Sequence, residues 1–208
     1  MKTILNTTIF SLTFWLIFIF PIGRKAELGL PKKDSELKIY KASMLSLIAR
    51  EDFRPTQYKD PGSGRKTIGF GLNEMKGLPI PKEITYKAAI DSTLVRLEDI
   101  KSIVSTKAKK EGVKMAKNEL AAYSLLAYQT GPSKVFRSKS WKHFIKGNKS
   151  KAIELYPKFA HSATKGDVLS RLAEKAILKG NQKEIDQIAD ECQKFACKSS
   201  FITQNYMK

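Results

Sequence analysis

Two carboxylic acids nine positions apart, Glu51 and Asp60, form a pair that could do acid–base chemistry. Cleaving a glycosidic bond calls for one group that protonates the leaving oxygen and a second carboxylate that works on the water side of the sugar. The first must hold its proton near neutral pH, which requires partial burial or a negative neighbour. Spacing alone does not single the pair out, because the chain has 20 acidic residues and most surface carboxylates are simply solvated.

The elements around the pair sharpen the case. From about Glu36, the apolar residues Leu37, Tyr40, Met44, Leu45, Leu47 and Ile48 recur at helical spacing, and the pattern stops at Arg50-Glu51-Asp52-Phe53 before Pro55. Glu51 is therefore expected at the C-terminal end of a helix. Tyr58-Lys59-Asp60, the turn-rich Pro61-Gly62-Ser63-Gly64 and Thr67-Ile68-Gly69-Phe70-Gly71 read as strand, loop and strand, a hairpin that folds Asp60 back towards the helix. The glycines Gly69 and Gly71 could mark a twisted edge strand and nothing more.

Downstream the pattern is helical. A long helix is expected over Tyr86 to Ile103, with others at Asn118 to Tyr128, Ser140 to Phe144, Lys149 to Phe159 and Asp167 to Leu178, the last stopping at Gly180. The tail from Asn181 adds one helix over Glu184 to Phe195 and then frays. Trp141 and His143 lie on a short amphipathic helix and read as packing and surface residues.

The order of these residues resembles the active-site signature of the phage-type lysozymes, glycoside hydrolase family 24. The resemblance is carried by Glu51-x8-Asp60, Arg54, Tyr58-Lys59-Asp60 and Thr67-Ile68-Gly69-Phe70-Gly71. Further on, Glu119-Leu120-Ala121-Ala122-Tyr123 running to Tyr128-Gln129-Thr130-Gly131, then Phe136-x-Ser138, Phe144-x-x-Gly147 and Arg171-Leu172-Ala173-Glu174-Lys175, extend it over roughly residues 40 to 180. It implies an α+β, mainly helical fold, in which a small hairpin-containing lobe and a larger helical lobe flank a cleft. It also implies roles: Glu51 as general acid, Asp60 as the water-side carboxylate, Thr67 as the hydroxyl that places the water, and Gln129 as a substrate contact. Arg171 is a candidate partner for Glu51. No cofactor and no metal are called for. The implied reaction is inverting hydrolysis of the β-1,4 bond between N-acetylmuramic acid and N-acetylglucosamine. A glycan-binding module of the same shape without activity is the alternative. The chain departs from the family pattern in carrying one extra residue between Asp60 and Thr67, and Leu72-Asn73 where His commonly follows Gly71.

The 208 residues suit one domain with appended segments. The expected boundaries are 1–23, a signal peptide or membrane anchor; 24–36, a linker; 37–182, the lysozyme-like catalytic domain; and 183–208, a C-terminal tail. Residues 4–22 carry no charge and are about long enough to span a bilayer, but no A-x-A-like cleavage site follows. The expected location is outside the cytoplasm, in the periplasm or cell envelope, with the inner membrane as an anchor if the segment is retained. With 38 Lys+Arg against 20 Asp+Glu, the formal net charge of +18 favours anionic partners. Peptidoglycan glycan strands and anionic envelope polymers fit, whereas specific nucleic-acid binding finds no motif and no aromatic-basic interleaving. A monomer is expected. The two cysteines, Cys192 and Cys197, have no nearby His to complete a zinc pattern; in an exported protein they could close a small disulfide loop, unless the stretch is one continuous helix, on which residues five apart cannot bridge.

Overall fold

Glu51 closes the first helix, α1 (Asp34–Glu51), and the reason it stops there is local. Asp52 adopts a left-handed backbone with φ 50°, an uncommon conformation for a residue with a Cβ, and its own Oδ1 accepts the Phe53 N–H at 2.9 Å. Pro55 then favours extended chain before it, and β1 (Arg54–Lys59) begins. The computed structural model describes residues 34–61, 64–74, 79–157 and 165–199. These belong to one compact unit, Pro31–Lys208. The apolar segment at 4–22 and residues 200–208 lie outside the described residues. Among the described residues, no helix is long and apolar enough to cross a membrane.

β1 pairs antiparallel with β2 (Lys66–Gly69), and β2 with β3 (Leu72–Asn73), so the expected hairpin is a three-stranded sheet in the order β1-β2-β3. Tyr58 stands opposite Thr67 and Lys59 opposite Lys66, with a bulge between Arg54 and Tyr58. The Asp60 N–H donates to the Arg65 carbonyl at 2.9 Å and the Gly64 N–H to the Asp60 carbonyl at 2.8 Å. Past this connection, Lys66 and Thr67 pair in register with Lys59 and Tyr58. Residues 80–84 cover the outer edge of β1: Gln57 N–H donates to Lys82 O at 3.0 Å and Ile84 N–H to Pro55 O at 2.8 Å.

The remaining described elements are helices: α2 (Tyr86–Lys110), α3 (Lys117–Thr130), α4 (Pro132–Arg137), α5 (Lys139–Ile145), α6 (Lys149–Glu154), α7 (Lys165–Lys179) and α8 (Gln182–Ser199). They build two cores. The smaller joins Ile48, Phe53, Phe70 and Ala89, with Tyr86 and Ile90 packed against it. The larger runs from Ala42 and Leu47 on α1 through Leu97, Ile100 and Val104 on α2 to the buried stretch of α3, Ala122–Ala127, and on to α7 and α8. Both α1 and α2 contribute to both cores, so each passes from one lobe to the other. The fold is α+β and mainly helical, with a small sheet-bearing lobe and a larger helical one.

Several boundaries differ from the sequence reading. α1 begins inside the stretch read as linker. α2 runs past Ile103 to Lys110, because Val104 and Ala108 continue its buried stripe beneath a lysine-rich surface. α4 has no counterpart in the apolar periodicity. It is a six-residue helix started by Pro132, whose fixed φ suits the first helical position. α6 ends at Glu154, short of the Phe159 expected, and residues 158–164 lie outside the described residues. The tail drawn from residue 183 holds α8, whose Ile185, Ala189 and Cys192 are buried in the larger core, so this helix is part of the domain. Cys192 and Cys197 fall on this one helix, and Cys192 is a free, buried thiol.

Candidate active site

The site forms where the end of α1 meets the sheet on one side and α7 on the other. Phe53, Phe70 and Tyr86 pack against one another with ring centroids 5.2–5.5 Å apart, mostly edge-on. Such aromatic pairs add about 0.5–1.5 kcal/mol each beyond the area they bury. Their place in the chain matters more than the sum. Phe53 follows Glu51 by two residues and Phe70 precedes Gly71, so the cluster fixes the helix end against the sheet turn.

That turn comes very close to Glu51. Gly71 has φ +78°, and a Cβ built on it would stand 2.9 Å from Glu51 Oε2. Gly69, with φ +64°, brings β2 so close to α2 that a Cβ there would lie 3.1 Å from the Ala89 Cβ. The two glycines of the Thr-Ile-Gly-Phe-Gly run thus have separate duties: one seats the sheet on α2, the other leaves room for the carboxyl of Glu51. From the larger lobe, the Tyr128 hydroxyl on α3 donates to the Phe70 carbonyl at 2.9 Å and holds the same turn from behind.

Glu51 itself is mostly shielded, its side chain 22% exposed. Burial pushes its carboxyl above the usual carboxylate range; Arg50 opposes the shift, and the charges of Asp167 and Asp60 add to it. Its position in the last residue of α1 acts in the same direction, because the C-terminal end of a helix disfavours negative charge. Arg50 Nε lies 3.4 Å from Glu51 Oε1 and 3.0 Å from Asp167 Oδ1 on α7, where it donates a hydrogen bond. Tyr58, half-buried under the Arg54 guanidinium, which sits 4.4 Å from its ring centroid, also feels the Glu51 carboxylate. Its hydroxyl is pushed up, first by burial and then by that charge.

Glu51 and Asp60 come near enough for their charges to interact, Asp60 standing half-buried just past the end of β1. Thr67 lies on the adjacent strand opposite Tyr58 and is buried, its Oγ1 donating to Asn73 Oδ1 at 2.6 Å with Arg65 O also in reach at 3.2 Å. With the proton directed into the sheet, the Thr67 oxygen retains only acceptor capacity. Gln129 is turned inward. Its Nε2 donates to Ser170 Oγ at 2.9 Å and to Glu174 Oε1 at 2.7 Å, and its Oε1 is buried with no partner among the described residues. A sugar contact from Gln129 would require its amide to leave Glu174. Arg171, the candidate partner for Glu51, is ion-paired with Glu174 one turn along α7, and the cation beside Glu51 is its own neighbour, Arg50.

Sequence reasoning missed the roles of four groups. Arg50 and Asp167 form the ionic contact beside Glu51, and Tyr128 supports the turn. Of these, Arg50 had a sequence signal, its adjacency to Glu51 at a helix end. The fourth is the fully buried Glu174, which also accepts from the Tyr156 hydroxyl at 3.1 Å and Ser170 Oγ at 3.2 Å, while Ser170 meets Ser46 of α1 at 3.0 Å. This network ties α1, α3 and α7 together behind the site. Among the described residues, no group of three or more His, Cys, Asp or Glu side chains is arranged to hold a metal ion.

Comparison with known proteins places this geometry in context. The family model for phage lysozyme matches residues 49–177, which span Glu51, the sheet and the helices through α7. Among solved structures, the muramidase domain of SpmX from Asticaccaulis excentricus superposes with a TM-score of 0.53 at 16% identity, covering 70% of this chain and 97% of that one. The endolysin from Escherichia coli O157:H7 phage FAHEc1 superposes with a TM-score of 0.49 at 23% identity, covering 66% and 90%. No curated protein sequence matches the chain.

Proposed function

Because the chain belongs to the phage lysozyme family, we propose that it is a peptidoglycan hydrolase that cuts the β-1,4 bond between N-acetylmuramic acid and N-acetylglucosamine. The observation that carries this reading is the state of Glu51: a shielded carboxyl whose burial favours the protonated form, in charge range of a second carboxylate, Asp60. Glu51 gives its proton to the leaving glycosidic oxygen as the bond breaks. Asp60, half-buried just past the end of β1, takes the proton of the attacking water from the opposite face of the ring. Thr67, on the strand paired with β1, offers its acceptor oxygen to that water. The product is the inverted anomer, since water and not the protein is the nucleophile.

The catalytic region acts outside the cytoplasm, delivered by the apolar segment at 4–22, and the +18 charge draws the enzyme to anionic envelope polymers. Alkaline phosphatase fused after residue 40 tests delivery, because it is active only after export. A well-expressed but inactive fusion would argue for a domain that stays in the cytoplasm.

The decisive experiment is digestion of purified peptidoglycan, with mass spectrometry of the fragments and NMR of the fresh anomer. New reducing-end N-acetylmuramic acid in the α configuration is expected from the wild type, and none from Glu51→Gln, which preserves shape but has no proton to transfer. Wild-type turnover in Glu51→Gln would remove Glu51 from the mechanism. Glycan binding by the wild type with no cleavage at all would leave a binding module.

A further inference from the structure

We propose that Arg50 and Asp167 are positioning residues that act as a clasp on Glu51, Asp167 setting how much of the Arg50 charge reaches the acid. This rests on the reading of Glu51 as the general acid. Arg50 is the residue before Glu51 on α1, and Asp167 reaches it from the first turn of α7 in the larger lobe. The Arg50 Nε–H is spent on Asp167 Oδ1, with a 3.0 Å hydrogen bond, while Glu51 Oε1 stands off at 3.4 Å in ionic contact only. All three side chains are about four-fifths shielded from solvent, 20% exposed for Arg50, 20% for Asp167 and 22% for Glu51, so their charges interact with little screening by water.

An acid beside an arginine ordinarily loses its proton readily, because the cation stabilises the carboxylate. Here the competing carboxylate holds the guanidinium proton, so Glu51 can keep an arginine as its neighbour and still function as a proton donor. Among the described residues, the groups facing Glu51 from the other elements are Asp60 beyond β1, Tyr58 on β1 and Tyr128 on α3. The phenols are neutral and Asp60 is a second acid, so among these neighbours Arg50 is the cation, and Asp167 is a group that moderates it. Burial, Asp167 and Asp60 raise the Glu51 carboxyl and Arg50 lowers it.

The two halves of the clasp must therefore act in opposite directions. In Asp167→Asn, Arg50 turns its donor to Glu51 and a repelling charge disappears, so the Glu51 pKa falls. In Arg50→Gln the stabilising cation is gone while Asp167 remains, so it rises. Each shift is expected to be about one pH unit, the low end for a charge at this separation. The measurement is ¹³C NMR titration of carboxyl-labelled glutamate in the full chain, with the Glu51 resonance identified by its loss in Glu51→Gln. The high-pH limb of kcat/KM for peptidoglycan should move with it, down in Asp167→Asn and up in Arg50→Gln, and Arg50→Lys should bring it back towards wild type. Shifts in the same direction, or none in either variant, would overturn the clasp. So would a loss of rate with an unmoved pH limb. The NMR titration reads Glu51 whether or not it is catalytic. A clasp that passes it while Glu51→Gln remains active would mean that the mechanism, not the clasp, is at fault.

Discussion

Replacing Gly71 by alanine separates the fold's need for a glycine from the active site's need for space. The substitution does two things. It places a Cβ on a backbone with φ +78°, which costs about 1–2 kcal/mol for an L residue, and it puts that carbon 2.9 Å from Glu51 Oε2. Gly112, in the connection after α2, has nearly the same backbone, φ +73°, but a methyl group added there would meet nothing within 4 Å. Gly112→Ala therefore carries the conformational cost alone. Both variants should lose about 2–8 °C in Tm, on a scale of about 2–4 °C per kcal/mol for a domain of this size. The strain at Gly71 adds little to that, because the carboxylate is the free end of a side chain and can retreat by a few tenths of an ångström. Catalysis does not tolerate such a retreat. If a misplacement of 1 Å costs on the order of 100-fold, half of that costs about 10-fold in kcat/KM. Gly71→Ala should thus clear a peptidoglycan suspension about ten times more slowly than Gly112→Ala at equal stability. Equal rates in the two variants would refute the idea that this glycine keeps the acid in place.

Three further outcomes follow from the same geometry. Glu51→Gln should become more heat-stable relative to wild type as pH rises: with its folded pKa raised, the Glu51 contribution is fully present below the ordinary carboxylate pKa and is lost as pH passes through the raised value. Differential scanning fluorimetry from about pH 4 to about pH 8 should show the gap widening, and a constant gap contradicts the burial argument. Glu174→Ala strips the counter-ion from buried Arg171 and an acceptor from Gln129, Tyr156 and Ser170, so urea melts should lose about 3–5 kcal/mol; a loss under about 1 kcal/mol would mean the network is slack. Neutralising the exposed Lys109, Lys110, Lys114 and Lys117, and sparing Lys107, which is paired with Glu111 at 2.8 Å, should slow lysis of whole cells at low salt but not cleavage of soluble oligosaccharides. Near 1 M salt, where screening reaches about 3 Å, the difference should vanish, and its persistence there would exclude long-range attraction.

What the sequence made legible is the part written in local pattern. The apolar stripe of α1 and the breaker at Pro55 placed Glu51 at a helix end, and the strand and turn signals placed Asp60 at the end of β1, within range of its charge. Long-range partnership was not legible. Arg50 and Asp167 are 117 residues apart and Gln129 and Glu174 are 45 apart, and no periodicity relates them. That is why Arg171 looked available to Glu51 and Gln129 to a sugar, when both are bound to Glu174. The end of α2 was hidden for a different reason: its lysines dominate the surface composition while Val104 and Ala108 keep the buried stripe going. α8 looked like a tail because its apolar residues are few and the rest strongly polar. Its buried face became recognisable only once α1 and α7 were in place to receive it.

The sealed Cys192 thiol has a consequence for where this domain can mature. It lies in the larger core against the helices that receive α8, and burial, helped by the Glu191 charge, pushes it up to about 12. A thiol so reluctant to ionise is a poor nucleophile towards oxidants and mixed disulfides alike. The native packing has no need of a cross-link through it, so the same folded state is open to the chain in a reducing cytosol and in an oxidising envelope.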